Sequence, residues 1–580
     1  MKEKDFYSTL NLIKRVAKDL LKGNKVIILI LVILIIVTIF GTIAPKVTGE
    51  VMTEISNQLI LKVGSSGVMS FDRINLLLVI LIIIYIMQYA LSCINCNLMI
   101  ELCQNYIFTL RKKMSKKITK LPKKYFDQKS NGEILSLMIN DIENISINIY
   151  GILRETFSAI LNLIGACIML FTISPMLAIT NSGTIVISAV IIVILANISR
   201  RYFEEKQQKI ADLNSSVEEK YSAHSVIKMF NIQENMQQKL DNDNERLKQI
   251  SIKSNFIGSI SRGIVVFVEN ASIAIAAVVS AVLIANGSLE IGYIYTAISY
   301  TKNMINPLGK IASTNNDIMN IIASAKRIYQ FLDEPEIEEE GKNIEFKNNV
   351  TVDSLWFAYD KEDYVLKDIN INIAKGQKIA FIGKTGCGKT TLVSLIINLY
   401  QLNKGNITMD GVNINNIKPK EYIKNFAVIS QDINLFNDTI LENIKYGNDK
   451  IEDEEIIQIA KNVGVHDIFN RMENGYNTII NENNTNISNG VKQLIVLMQA
   501  IVSKAPVLIF DEATNGLDKE TEEKINNAMN YMKKTRTLIV IAHKLDVIKD
   551  ADMIYAIENG KVVANGTYDE LINNKIIEEN

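Results

Sequence analysis

Three places in this 580-residue sequence hold residues that could do chemistry, each at the end of an apolar run. KIAFI (378–382) leads into Gly383-Lys384-Thr385-Gly386-Cys387-Gly388-Lys389-Thr390 and then TLVSLIINLY. Strand, glycine loop and helix in that order are what a P-loop requires. Glycines let backbone N–H groups close around phosphate oxygens, and the helix N-terminus adds a favourable dipole. Lys389 is expected to neutralise the β- and γ-phosphates of ATP and Thr390 to ligate Mg²⁺, with Thr391 ending the nucleotide-binding stretch. Cys387 has only to be small. VLIF (507–510) ends in Asp511-Glu512. An acid at a strand end facing the loop suits the Mg²⁺ shell, and Glu512 is placed to polarise an attacking water as general base. TLIVIA (537–542) ends in His543, one of three histidines. A strand of the same sheet would bring it to the γ-phosphate. His224 and His466 read as solvated or packed.

Such a site needs a rigid α/β sheet, and the second half of the chain has the composition for one. The first half does not. Residues 26–45 and 74–100 are apolar runs long enough to span a bilayer. Weaker candidates lie at about 150–173, 178–197, 259–285 and 290–315, the last interrupted by Lys302 and Pro307. RKKMSKKITKLPKK (111–124) is densely basic and should be cytoplasmic, like the Lys-rich N-terminus. The short connections at 174–177 and 286–289 carry no Lys or Arg and should lie outside. ATP is cytosolic, so the span number must be even, and six satisfies every constraint. Stretches 101–147 and 200–255 read as helical extensions into the cytosol. The N-terminal run is too long for a signal-peptide h-region and reads as an uncleaved anchor. Among ionisable residues in the spans, Glu269 is deepest and is the candidate for a substrate cavity. Arg154, Glu155, Arg262 and Lys302 read as interfacial or paired.

Charge is balanced, with 62 Lys+Arg against 63 Asp+Glu, which gives no field for nucleic acid. Five cysteines build no disulfide framework. Cys93-x-x-Cys96 lies in an apolar run without a second ligand pair and reads as helix surface.

On these motifs the chain resembles an ABC exporter half-transporter, similar to the bacterial multidrug and lipid exporters. That resemblance implies an all-α six-helix transmembrane domain over 1–330, a linker over 331–350, and an α/β P-loop NTPase domain with a helical subdomain over 351–580. It implies that Tyr359 in LWFAYD stacks on adenine. It further implies that Gln431 in VISQDINLF senses the γ-phosphate and Mg²⁺, that His543 is the switch histidine and that Asp518 is the D-loop acid. KKYFDQKSNGEIL and SSVEEKYSAHSVIKMFN match the segments that carry coupling helices. The implied activity is ATP-driven export by alternating access, in a bacterial plasma membrane with both termini cytoplasmic. The implied cargo is a small amphipathic molecule.

One motif departs from the family. Where L-S-G-G-Q is usual, the chain reads Ile487-Ser488-Asn489-Gly490-Val491. Asn at the first glycine adds a side chain near phosphate and restricts positive φ. The residues used in cis are intact and the segment offered in trans (Ser488, Asn489, Gly490) is degraded. A different partner half-transporter with a standard signature is therefore expected, giving one competent site that uses Glu512. A homodimeric exporter of a lipid or peptide, or a nucleotide-gated channel on the same scaffold, are the alternatives.

Overall fold

The computed structural model describes residues 3–21, 26–64, 70–360, 363–430, 433–481, 487–513, 517–542 and 547–576. It divides into two compact units. One comprises Met1–Thr119 and Asn131–Glu334, the other Lys120–Ser130 and Pro335–Asn580.

The first unit is helical. α1 (Glu3–Leu21), α2 (Val26–Gly64) and α3 (Asp72–Ile118) are followed by the short α4 (Lys123–Gln128), which belongs to the second unit. A helix then runs from Asn131 to Ile173 with two π-helical turns, at Leu137–Asp141 and Ile152–Thr156. These separate α5 (Asn131–Ser136), α6 (Ile142–Gly151) and α7 (Phe157–Ile173). α8 (Pro175–Ser222), α9 (His224–Met229), α10 (Gln233–Ala285) and α11 (Tyr293–Asp333) complete the unit. α8 and α10 contain 48 and 53 residues, about 70–80 Å at ~1.5 Å per residue, more than twice a bilayer core of ~30 Å.

Among the described residues, five helices are long and apolar enough to cross a membrane: α2, α3, the α5–α7 helix, α8 and α10. α11, the expected sixth span, falls short, and its surroundings explain why. It packs against α2, α6, α7, α8 and α10. Thr296, Ala297, Tyr300, Thr301 and Met304 are at most 1% exposed. A helix solvated by other helices can carry hydroxyls that lipid would penalise, provided they are hydrogen-bonded. Tyr300 donates to the Thr42 carbonyl, and Thr301 donates to Asn181 Oδ1 at 2.6 Å.

Small residues let α2 and α11 cross closely. A Cβ at Gly292 would lie 1.9 Å from the Gly49 carbonyl oxygen, and one at Gly49 2.0 Å from Thr296 Oγ1. α2 and α11 therefore meet backbone to backbone, and the Gly292 N–H donates to Thr53 Oγ1 at 3.1 Å. Below the apolar zone, Arg327 and Ser324 of α11 both donate to the buried Asp141 carboxylate in the first π-helical turn.

In the second unit, β1 (Asn349–Phe357) and β2 (Leu366–Ala374) precede β3 (Lys378–Ile382) and α12 (Lys389–Ile396). β4 (Lys404–Met409), β5 (Val412–Asn413), α13 (Pro419–Ile423) and β6 (Phe426–Ile429) follow. A helical stretch comprises α14 (Ile440–Lys445), α15 (Asp453–Val463), α16 (His466–Asn470) and α17 (Asn489–Val502). The chain then returns through β7 (Val507–Asp511), α18 (Lys519–Lys533), β8 (Thr537–Ile541), β9 (Met553–Glu558), β10 (Lys561–Gly566) and α19 (Tyr568–Asn573). β2-β1-β4-β5 form an antiparallel sheet. The larger sheet has the order β10-β9-β3-β8-β7-β6, with β9, β3, β8, β7 and β6 parallel. After Lys378, the strand IAFI is continuously apolar rather than alternating because a parallel strand is buried on both faces.

Candidate active site

The site forms at the C-terminal ends of β3 and β7, the crevice where open α/β sheets bind ligands. After β3 the loop turns through Gly383 (φ 148°), Gly386 (φ 83°) and Gly388 (φ 106°). A Cβ at Gly383 would lie 2.2 Å from the Ile557 carbonyl, and one at Gly388 2.6 Å from a Leu366 methyl. Only glycine satisfies both the left-handed backbone and the space. Lys389 is 5% exposed and its Nζ donates to the carbonyls of Gly383 (2.8 Å) and Lys384 (3.1 Å). Among the described residues this buried ammonium is held by neutral groups, an unbalanced charge that an anion at the loop would compensate. Lys384 and Thr385 are exposed in the loop and Cys387 is buried beneath it.

β8 lies between β3 and β7, yet the two carboxy-terminal ends converge. Thr390 Oγ1 donates to Asp511 Oδ1 at 3.3 Å. Two hard oxygens at that separation fit adjacent positions of an octahedral shell, where neighbouring ligands stand ~2.9 Å apart. Glu512 has φ 51°, a left-handed backbone that costs a non-glycine residue roughly 1–3 kcal/mol. Its N–H donates to the Ile541 carbonyl at 3.1 Å, so the end of β8 holds the strained turn. Tyr359 presents a 43% exposed ring whose hydroxyl lies 3.1 Å from Thr391 Oγ1, beside Tyr400. Gln431 and His543 lie outside the described residues.

The signature-like segment corrects one expectation. Asn489 has no positive φ; it is the first residue of α17 and its side chain is exposed. Ser488 caps that helix, its Oγ accepting from the Val491 N–H at 3.3 Å. Asn therefore adds bulk at an exposed helix start, with no backbone strain, because a helical N-terminus needs no left-handed residue. Gly490 is the constrained position: a Cβ there would lie 3.0 Å from Thr521 Oγ1 and 3.4 Å from Asp518 Oδ2. Asp518 in turn caps α18, accepting from the N–H and hydroxyl of Thr521 (2.9 and 2.8 Å), and these bonds hold its carboxyl below the usual range.

Comparison with known proteins agrees with this geometry. Residues 27–308 match the ABC transporter transmembrane region and residues 366–515 match the ABC transporter family. An ABC transporter ATP-binding protein of Bacillus subtilis (strain 168), YfiC, is 30% identical over 99% of this chain and 94% of its own length. The chain belongs to the ABC transporter family. An ATP-dependent lipid A-core flippase of Haemophilus influenzae is 31% identical over 80% of each chain. A fatty acid ABC transporter ATP-binding/permease protein of Mycobacterium bovis is 31% identical over 81% of this chain and 75% of its own. In fold, a bacterial Atm1-family ABC exporter solved with ATP bound superposes with a TM-score of 0.77 at 20% identity, covering 95% of this chain and 97% of the other. The protein is thus an exporter-type ABC half-transporter: a multi-pass membrane unit fused to an ATPase that couples hydrolysis to transport.

Within this ABC transporter, several positioning residues escaped the sequence reading. Gln493, 2% exposed in α17, donates from Nε2 to the Ser430 carbonyl (3.3 Å), immediately before Gln431. Its one signal was an amide at the head of the apolar run LIVLM (494–498). Lys378 opens β3 at 3% exposure and donates to the Val547 carbonyl at 2.8 Å and to Asp550. Burial would raise the Asp550 carboxyl, but the hydrogen bond and charge of Lys378, with Lys533 nearby, hold it below the ordinary range. α4, from the first coupling-type segment, carries Asp127, which accepts from the Tyr400 hydroxyl. Of the other histidines, His466 Nδ1 lies 3.1 Å from the Tyr476 hydroxyl, with the rings stacked. His224 opens α9 in an exposed position. Glu269 is half-buried on α10.

Proposed function

We propose that this half-transporter is the subunit of a heterodimeric exporter that supplies the working catalytic base. The carrying observation is the contrast between an assembled cis site, in which Thr390 meets Asp511 and Glu512 is held in a strained turn, and a signature-like segment bearing an exposed Asn489. In this reading Tyr359 stacks on adenine, and the loop residues Gly383 to Thr391 hold the phosphates. Thr390, Gln431 and Asp511 hold Mg²⁺, which supplies charge neutralisation at the β- and γ-phosphates. Glu512 polarises the attacking water, with Gln431 and His543 contacting the γ-phosphate. Ser488, Asn489 and Gly490 face the partner's nucleotide and cap it weakly, because the Asn489 side chain occupies space needed for close approach. Domain limits of 1–330, 331–350 and 351–580 and a six-span topology with α11 as the buried sixth helix go with this reading. So do cytoplasmic termini and a bacterial plasma membrane.

Lipid-type cargo is favoured by the relatives, a lipid A-core flippase and a fatty acid transporter, over the cationic cargo that Glu269 alone would suit. The test is co-purification. The tagged chain expressed with its neighbouring half-transporter gene should yield a one-to-one complex with higher ATPase activity than the chain alone. A symmetric dimer of this chain with full activity would refute the heterodimer and leave the homodimeric lipid exporter.

A further inference from the structure

We propose that the cleft between α8 and α10 binds the anionic head group, phosphate or carboxylate, of an amphiphile. A cavity of about 690 Å³ opens there, with Lys206, Asn255, Ser259 and Arg262 supplying polar groups and Phe203 and Val266 apolar ones. No acidic residue lines it. Gly258 and Gly263 keep it open: a Cβ at either would meet nothing within 4 Å.

The charge in the cleft is uncompensated. Lys206 Nζ donates to Asn255 Oδ1 at 3.2 Å, a neutral partner. Among the described residues Arg262 has no ion-pair or hydrogen-bond partner, whereas Arg15, Arg200 and Arg327 of the same unit are each paired with a carboxylate. Two cations converging on an acid-free cavity select an anion, and a guanidinium suits the paired oxygens of phosphate or carboxylate.

Depth in the membrane defines the rest of the ligand. The apolar run of α8 ends at Asn197, just before Arg200 and Arg201, and that of α10 begins after Arg262. The cleft therefore lies at head-group level, where both helices leave the hydrocarbon. Ser199 Oγ and Ser261 Oγ, 3.0 Å apart, tie the helices there. Ile194, Ile198, Val266 and Phe267 are exposed and continue the surface into the apolar zone, offering a track for an acyl chain. Lys and Arg at this depth also attract anionic lipid diffusely. A built site differs in being saturable and specific to the cleft. The site stands independently of the heterodimer, and it rests on the export reading only for the meaning of its ligand as cargo.

The full chain in phosphatidylcholine nanodiscs tests this. The probes are phosphatidylglycerol placed in the bilayer and dodecyl phosphate added from water, and native mass spectrometry counts the bound molecules. One probe molecule should bind saturably per chain. The Lys206→Gln/Arg262→Gln double variant should raise Kd about tenfold or more, while Arg262→Lys, which keeps the charge and loses the fork, should raise it by less than the double variant does. Gly258→Leu, which fills the cavity without touching charge, should also abolish saturable binding while the melting temperature is retained. Binding of phosphatidylglycerol alone identifies a membrane lipid, of dodecyl phosphate alone a free amphiphile, and of both a head group that suffices. Non-saturable uptake, or affinity unchanged in the double variant, overturns the site. ATP-driven movement of the same probe across vesicles is measured separately. Intact binding without movement overturns the export reading alone, and movement with variant-insensitive binding overturns the site alone.

Discussion

The P-loop and the signature-like segment of the ATPase unit both read as glycine motifs, but their glycines answer to different constraints. In the P-loop Gly383, Gly386 and Gly388 all have positive φ, and a Cβ at Gly383 would strike the Ile557 carbonyl. At the other end Asn489 sits unstrained at the start of α17, and the glycine that packing requires is Gly490, against Thr521. A glycine lost from the first kind of loop removes the fold of the site. At the second, Asn in place of the first glycine changes only what the helix start presents to a neighbour, while Gly490 is held by packing.

Substitutions at each end should break or sharpen that contrast. Glu512→Gln should cut steady-state hydrolysis about a hundred- to ten-thousandfold with nucleotide binding retained, since a positioned general base contributes that much. Unchanged turnover would remove Glu512 from its role. Gly383→Ala should weaken ATP binding by roughly a hundredfold, from ~3 kcal/mol of backbone clash and strain, as read by nucleotide titration. Lys378→Ala tests the support beneath the loop. It leaves Asp550 with Lys533 alone and unpairs the buried Val547 carbonyl, and should cost about 2 kcal/mol, a drop of roughly 4–8 °C in the melting of the ATPase unit. At the other end, Gly490→Ala should cost about 1 kcal/mol through Thr521, whereas Asn489→Gly should change stability by less than ~1 kcal/mol. Asn489→Gly should also raise hydrolysis in the two-subunit complex, and equal stability losses at 489 and 490 would contradict the contrast. The smallest effect is on pH. Asp550 and Asp518 titrate below their ordinary value of 3.8 when folded, so their stabilisation is complete above that pH and is lost as pH falls through the lower folded values. The melting temperature should therefore decline below about pH 4, and more shallowly in Lys378→Ala.

Legibility followed the range of the interaction. The P-loop was readable because strand, loop and helix are contiguous and each glycine has a local reason. Asp511 and Glu512 were readable as a strand end facing the loop, but the strand order was not, because only sheet pairing shows that β8 lies between β3 and β7. α11 was ambiguous from 290–315 because hydropathy reports contact with lipid, and this helix is surrounded by protein. The Gly49–Gly292 crossing has no local signal, since each glycine is ordinary until the other helix arrives.

By itself, the sequence determined the division into an apolar helical half and an α/β half, the phosphate loop and the acids that face it. Periodicity, composition and contiguous motifs act over a few residues, so they survive in one dimension. Tertiary structure decided three things: that Asn489 is an unstrained helix start, that Gly490 is the packed glycine, and that Lys206 and Arg262 share a cavity. Each depends on residues brought together from different elements, and no spacing along the chain encodes that.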